Sequence, residues 1–303
     1  MEYQEFICHI KDVMKSTYDD KEINVRKVIK SNDIELDALI IVSKEQPVSP
    51  TVYLNDYYKD FKLGRSMEDI VQEICYVYEN HYGKLEFDID KFSNFDLVKD
   101  RIVYRLVGRK FNDKFLKDVT YVKYLDFAII FYYMLDDTNS GNAIAVIHNS
   151  HLKMWGITKK ELYTVAMANT PVLLPYKLST MDQVINEMLA DSKVSWRPEE
   201  LCDSDIPYNS KMYVLTNQQK FYGAGCILYE NVLSRLAQKL DKDLYILPSS
   251  VHEVIIIPVE EEQSSKDELT KLVCEVNKTE VVRGEILSDH AYYYSRKIDL
   301  ILT

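Results

Sequence analysis

Glycine and proline are scarce, 8 of each in 303 residues. That scarcity excludes collagen-like repeats, long disordered linkers and glycine-rich phosphate loops. There is no G-x-G-x-x-G, no G-x-S-x-G elbow and no C-x-x-C pair. The longest uninterrupted apolar run is Phe127–Leu135, less than half of the roughly 20 residues a membrane-spanning helix needs. Met1–Glu5 has neither a basic n-region nor an apolar h-region, so no secretory signal is expected. Positive charge is also short: Lys plus Arg is 37 against 48 Asp plus Glu, a net charge of -11. A surface of that sign repels phosphate backbones and argues against broad binding of nucleic acid as a partner, while leaving room for a local basic patch. The five cysteines, Cys8, Cys75, Cys202, Cys226 and Cys274, are odd in number and scattered. Zinc-ribbon and disulfide-scaffold readings both fail, and a reduced, cytoplasmic protein is expected.

What is present is ordinary for a globular chain, 47 % hydrophobic and 28 % charged. The first part reads as an amphipathic helix over 2–17, a hairpin of strands 23–29 and 36–42 around the Ser31-Asn32-Asp33 turn, and a short strand from Thr51. A short helix capped by Asn55 follows, then a longer one over Met67–His81, capped by Ser66 with Asp69 three residues on and closed by Gly83. Leu125–Leu135 reads as a central strand covered on both faces, because no alternation is left to mark a wet side. Asp136–Asn142 reads as a hairpin loop. Thr158 with Glu161 caps a helix that Pro171 is expected to stop, and Ser179-Thr180 starts another. An exposed acidic loop over 191–209 is expected next. The last hundred residues read β-α-β-β-α-β-β, with one helix over Gly223–Leu240, another from Lys266, a solvated loop over 260–265 and a terminal hairpin across Arg296-Lys297. The expected class is α+β: mixed, mostly antiparallel sheets, with helices packed on one face of the C-terminal sheet. The expected division is a smaller α+β domain over 1–92 and a larger one over 93–303.

The segments SPTVYLNDYYKDFKLG, DLYILPSSVHEVIIIP and LSDHAYYYSRK resemble the DUF5688 family, a domain of unknown function common in gut-associated Gram-positive bacteria and their mobile elements. A weaker likeness, to the YtpQ-like family, covers ITKKELYTVAMANTPVLLP and TNQQKFYGAGCILYENVLSRLAQKL. Its Pro-Ser-Ser-x-His-Glu turn is a different one, so no chemistry transfers to it. The resemblance implies a bacterial, cytoplasmic α/β protein and brings no activity.

The residues best suited to chemistry are Ser249, Ser250, His252 and Glu253, with Asp289 and His290 near the terminal hairpin. Hydroxyl, imidazole and carboxylate are what hydrolysis needs. Topology is expected to bring the Pro248–Glu253 turn and Asp289-His290 to one end of the C-terminal sheet. The simpler reading is a turn whose hydroxyls satisfy backbone groups. His148-x-x-His151 offers two imidazoles but no third ligand at zinc-like spacing. Tyr222-Gly223-Ala224-Gly225 after Thr216-Asn217 lacks the lysine of a nucleotide loop. No cofactor and no metal are expected. Tyrosine is abundant, 23 against 10 Phe, with clusters at Tyr53, Tyr57 and Tyr58, at Tyr132 and Tyr133, and at Tyr292–Tyr294. Tyrosine suits half-buried strands and interfaces alike, so a protein partner docking on tyrosine-rich surfaces is one expectation. The first functional reading is a non-enzymatic interaction or adaptor protein. The second is a hydrolase-like enzyme using His252 with Ser249 or Ser250 and an acid. Oligomeric state is left open.

Overall fold

The computed structural model describes residues 1–42, 51–81, 88–135, 144–191, 210–260 and 265–303. Gly83, Cys202, the Asp136–Asn142 loop and most of the loops expected over 191–209 and 260–265 lie outside the described residues. The class is α+β, with three antiparallel sheets among the described residues. No described helix is long and apolar enough to cross a membrane.

The first sheet is built from β1 (Glu22–Ile29), β2 (Glu35–Val42) and β3 (Thr51–Tyr53), in that order. Helices α1 (Tyr3–Thr17), α2 (Leu54–Lys62) and α3 (Met67–His81) close over it. The cause is spacing. Phe6, Ile10 and Met14 on α1 and Ile70, Ile74 and Tyr78 on α3 recur every four residues, so each set forms one buried stripe. They meet Leu39 and Ile41, two apart on β2 and so on one sheet face. The Asn55 side chain does not cap α2; its Oδ1 accepts from Asp37 N at 2.8 Å across the neighbouring strand.

The β1–β2 turn joins this unit to the rest. Asn32 is left-handed, with φ 59°, and buried. Its Nδ2 donates to the carbonyls of Arg283 (2.7 Å) and Ile286 (2.8 Å). Its Oδ1 accepts from Asn112 Nδ2 at 2.8 Å. Asp33 accepts from the backbone of Lys114 and Phe115.

Two short helices, α4 (Ile89–Ser93) and α5 (Phe95–Val98), lead into β4 (Ile102–Gly108). The second sheet adds β5 (Tyr121–Tyr124), β6 (Phe127–Met134) and β7 (Ile144–Val146). β6 is its centre, paired with β4 on one edge and with β5 and β7 on the other. Every residue of Phe127–Tyr133 is buried. Odd positions from Phe127 enter the main core, while Ala128 and Ile130 enter a second, thinner layer. Helix α6 (Asn149–Trp155) is followed by α7 (Lys159–Leu173). α7 runs through Pro171 instead of stopping before it, because its last turns cover the open edge of β4. Thr170 Oγ1 accepts from Tyr104 N at 3.0 Å, and Asn169 Nδ2 donates to Ile102 O at 3.0 Å.

The third sheet has strands β8 (Tyr176–Thr180), β9 (Tyr213–Asn217), β10 (Leu244–Leu247), β11 (Val254–Pro258), β12 (Tyr292–Ser295) and β13 (Leu300–Leu302). Their order is β13-β12-β10-β11-β9-β8. Helix α8 (Met181–Asp191) follows β8, and α9 (Val232–Leu240) and α10 (Lys266–Thr279) cover the sheet. The helices lie on both faces rather than one. Leu244 and Ile246 of β10 meet α9 and the second sheet, while Leu247 and Ile257 meet Leu269 and Val273 of α10. The single helix expected over Gly223–Leu240 is broken: Gly223–Leu228 is a 3-10 turn, and Asn231 is left-handed. A Cβ on Gly223 would stand 2.2 Å from Thr216 Oγ1 and 2.5 Å from Asn217 N. That close approach fixes the turn against β9 and redirects the chain.

Candidate functional site

The Pro248–His252 segment and the 285–288 segment run side by side. Val251 N donates to Glu285 O (2.9 Å), Leu287 N to Ser249 O (3.0 Å) and Ser288 N to Pro248 O (3.0 Å). Backbone pairing therefore brings together the two loops singled out in the sequence. Their side chains divide into two clusters. Among the described residues no hydrogen bond or ion pair joins His252 to Asp289 or His290.

In the first cluster the carboxylate beside His252 is Glu285, at 3.6 Å from Nε2. The ring stacks on Tyr222, with centroids 5.4 Å apart and planes 14° apart. Tyr222 N donates to Nδ1 at 3.4 Å, which leaves the proton on Nε2 facing Glu285. Ser250 is buried, and its Oγ accepts from His252 N at 3.0 Å, a local turn bond. Ser249 contributes its carbonyl to the loop pairing. Glu253 is half-buried.

The second cluster is richer. His290 spans two carboxylates, with Nδ1 3.1 Å from Asp289 Oδ1 and Nε2 3.6 Å from Asp126 Oδ2. Tyr292 donates its hydroxyl to Asp126, and Ser288 Oγ lies 2.9 Å from that hydroxyl. Burial, and then the Asp126 carboxylate, push the Tyr292 phenol well above its ordinary value. Lys110 Nζ binds Asp289 at 2.5 Å. That hydrogen bond, and then the one from His290, hold the Asp289 carboxyl below its ordinary range against the opposing effect of burial. Ser288 Oγ also lies 3.4 Å from His290 Nδ1, which completes a serine–histidine–aspartate set. It is not a nucleophile geometry, because Ser288 is only 2 % exposed and its oxygen already takes the His290 backbone N–H.

Beside Asp126 opens a groove of about 430 Å³ lined by Arg109, Lys110, Asp113, Leu116, Lys117, Tyr121 and Asp126. Asp126 anchors one end, since its carbonyl accepts from Arg109 N at 3.0 Å. Among the described residues neither Arg109 nor Lys117 has an ion pair.

His148 and His151 form a helix cap. His148 N donates to His151 Nδ1 at 3.2 Å, and His148 Nδ1 lies 2.9 Å from Asp118 Oδ2. Burial, and then His148, lower the His151 pKa. Among the described residues no group of three His, Cys, Asp or Glu side chains has metal-binding geometry. The tyrosine clusters are structural more than superficial. Tyr132, Tyr133, Tyr292 and Tyr294 are buried, and Tyr293 and Tyr294 donate to Asp243 and Asp299. Tyr58 packs on Tyr3 and Phe6 of α1. Tyr53, Tyr57, Tyr58 and Tyr293 are half-buried and keep part of their rings at the surface.

A family model described as a family of unknown function, DUF5688, matches residues 3–296. The chain belongs to DUF5688. No curated protein and no solved structure matches it significantly. The DUF5688 match spans both histidine clusters and the whole groove.

Asp126, Ser288 and the groove cations were not among the residues singled out in the sequence, and Tyr292 stood out only as part of a tyrosine cluster. A signal for the groove was there: Arg109, Lys110, Lys114 and Lys117 form a basic run in an acidic chain.

Proposed function

We propose that this chain is a non-enzymatic binding protein that seats a small organic anion in the groove between Arg109 and Lys117. The observation that carries the reading is unspent positive charge. Lys110 is neutralised by Asp289, but Arg109 and Lys117 face the groove with no ion pair among the described residues. The groove sets these two cations beside the carboxylates of Asp113 and Asp126, so an anion would be held by direct pairing with the guanidinium and ammonium rather than by a net positive field. Its volume, about 430 Å³, suits a small molecule. Tyr121 and the carboxylates of Asp113 and Asp126 add partners for ligand hydroxyls. The described cysteines Cys8, Cys75, Cys226 and Cys274 are free, which supports a reducing, cytoplasmic setting.

Hydrolysis by His252 with Ser249 or Ser250 is the alternative and has less support. Neither serine Oγ is hydrogen-bonded to a histidine ring nitrogen among the described residues.

The test is thermal unfolding of the wild type and of Arg109→Ala/Lys117→Ala, with citrate against chloride at matched ionic strength. The reading expects citrate to raise the melting temperature of the wild type clearly more than that of the double variant. Equal stabilisation of both proteins, or of neither, sinks it.

A further inference from the structure

On the face of the second sheet that also carries Tyr121, which pairs with Ile130 as Arg105 does, sits a buried cation without an anion. Arg105 on β4 is 5 % exposed. Its NH2 donates to Ser31 Oγ at 2.9 Å, and its guanidinium lies 4.0 Å from the centroid of Tyr222. No carboxylate among the described residues is within ion-pair reach, and Nε has no hydrogen-bond partner. Burying a charge without a counter-charge is among the costliest arrangements in a protein. A single cation–π contact offsets only part of that cost.

A second orphan stands close by. Tyr132 is 1 % exposed, and its hydroxyl also has no partner. Arg105 pairs with Ile130 and Val103 pairs with Tyr132, so Arg105 and Tyr132 share one sheet face two positions apart. Both meet the same ring, since Tyr132 packs edge-on to Tyr222 with centroids 6.0 Å apart. Two buried groups, each with an N–H or O–H to donate and one of them cationic, call for a ligand atom set that only accepts and is negative. An oxyanion has that chemistry.

We infer that Arg105, Tyr132 and Tyr222 form a second ligand site, which takes the carboxylate or phosphate oxygens of a small molecule. Tyr222 closes it. Its ring lies against the guanidinium, His252 stacks on the ring, and Tyr222 itself is a left-handed residue with φ 55°. His252 therefore acts on this site as a positioning residue for Tyr222. The site does not depend on the groove reading.

The experiment uses the full chain carrying Arg109→Ala/Lys117→Ala, so that the groove cannot contribute. Thermal unfolding is followed against sodium phosphate and, separately, sodium acetate, each with sodium chloride at matched ionic strength. The expected result is saturable stabilisation by one of the two, phosphate identifying a phosphate ligand and acetate a carboxylate. Adding Tyr132→Phe, which keeps the shape and removes one donor, should raise the half-saturating concentration at least about ten-fold. Adding Arg105→Met should abolish the response while leaving the melting temperature in chloride no lower, since an unpaired buried charge has been replaced by an apolar chain. Absence of any response to either anion overturns the inference, and so does an unchanged response in Tyr132→Phe. Should Arg105→Met fail to fold, the Tyr132→Phe result decides alone.

Discussion

Replacing Asn32 by alanine should destabilise the protein by about 3–5 kcal/mol, counting roughly 1–3 kcal/mol for each buried polar group left without its partner. The groups are identifiable. The carbonyls of Arg283 and Ile286 lose the donor they share, Asn32 Nδ2. Asn112 Nδ2 loses one acceptor but keeps Gly108 O at 2.7 Å, which holds the sum below three full penalties. The Asn32 backbone N–H keeps its bond to Asn112 Oδ1 at 2.6 Å. A second, separable cost comes from the left-handed backbone, φ 59°, which alanine tolerates less well than asparagine or glycine, by about 1 kcal/mol. Asn32→Gly removes the same bonds without that strain and should therefore lie about 1 kcal/mol above the alanine variant. Urea unfolding followed by circular dichroism reads both differences. An alanine variant within about 1 kcal/mol of wild type, the net worth of a single ordinary hydrogen bond, would refute the claim that this turn locks the N-terminal unit to the body.

Ile129→Asp should abolish cooperative unfolding in a thermal scan, because Ile129 is 2 % exposed at the centre of β6 and an aspartate there has no counter-charge; an unchanged melting temperature contradicts the burial of that strand. The Asp289 carboxyl, held low by Lys110 and His290, contributes stability that is present above its ordinary value of 3.8 and lost as the pH falls below it toward the depressed native value. Lys110→Met should move the Asp289 titration, followed by carboxyl NMR, up toward the ordinary value, and a titration that stays put shows that Lys110 is not the cause. Thiol titration of the denatured, unreduced protein should find all five cysteines. In the native state exposed Cys8 should react quickly, while Cys226, buried and pushed up to about 12, should wait for unfolding.

Local signals carried the parts of the fold that depend on few residues. Helix α3 was legible because Ser66 and Asp69 form a reciprocal cap, with Asp69 N donating to Ser66 Oγ at 3.1 Å, ahead of a four-residue apolar stripe. The Thr158–Glu161 cap of α7 and the unbroken run of β6 were legible for the same kind of reason. β8 was not, since its burial shows no alternation and it exists by pairing with β9. Pro171 failed as a stop because tertiary contacts along the β4 edge outweigh one missing N–H. The break before α9 follows from a close approach of Gly223 to Thr216 that no local pattern encodes.

The candidate site divides in the same way. That the 248–252 turn meets the 285–288 segment follows from strand and helix order alone. That His290 also meets Asp126 depends on the third sheet packing on the second. The Tyr292–Asp126 bond joins residues 166 apart in the chain, a separation at which a single sequence carries no pairing signal. Arg105 is one polar residue on the otherwise apolar strand β4. Its isolation is visible only once every neighbour is in place.

The most direct measurement of the central claim is an amide NMR titration of the wild-type protein with citrate. The account predicts saturable shifts concentrated at Arg109, Lys110, Lys117 and Tyr121, the residues that line the groove, with the N-terminal sheet unmoved. Shifts that do not saturate, or that leave these residues unmoved, would contradict it.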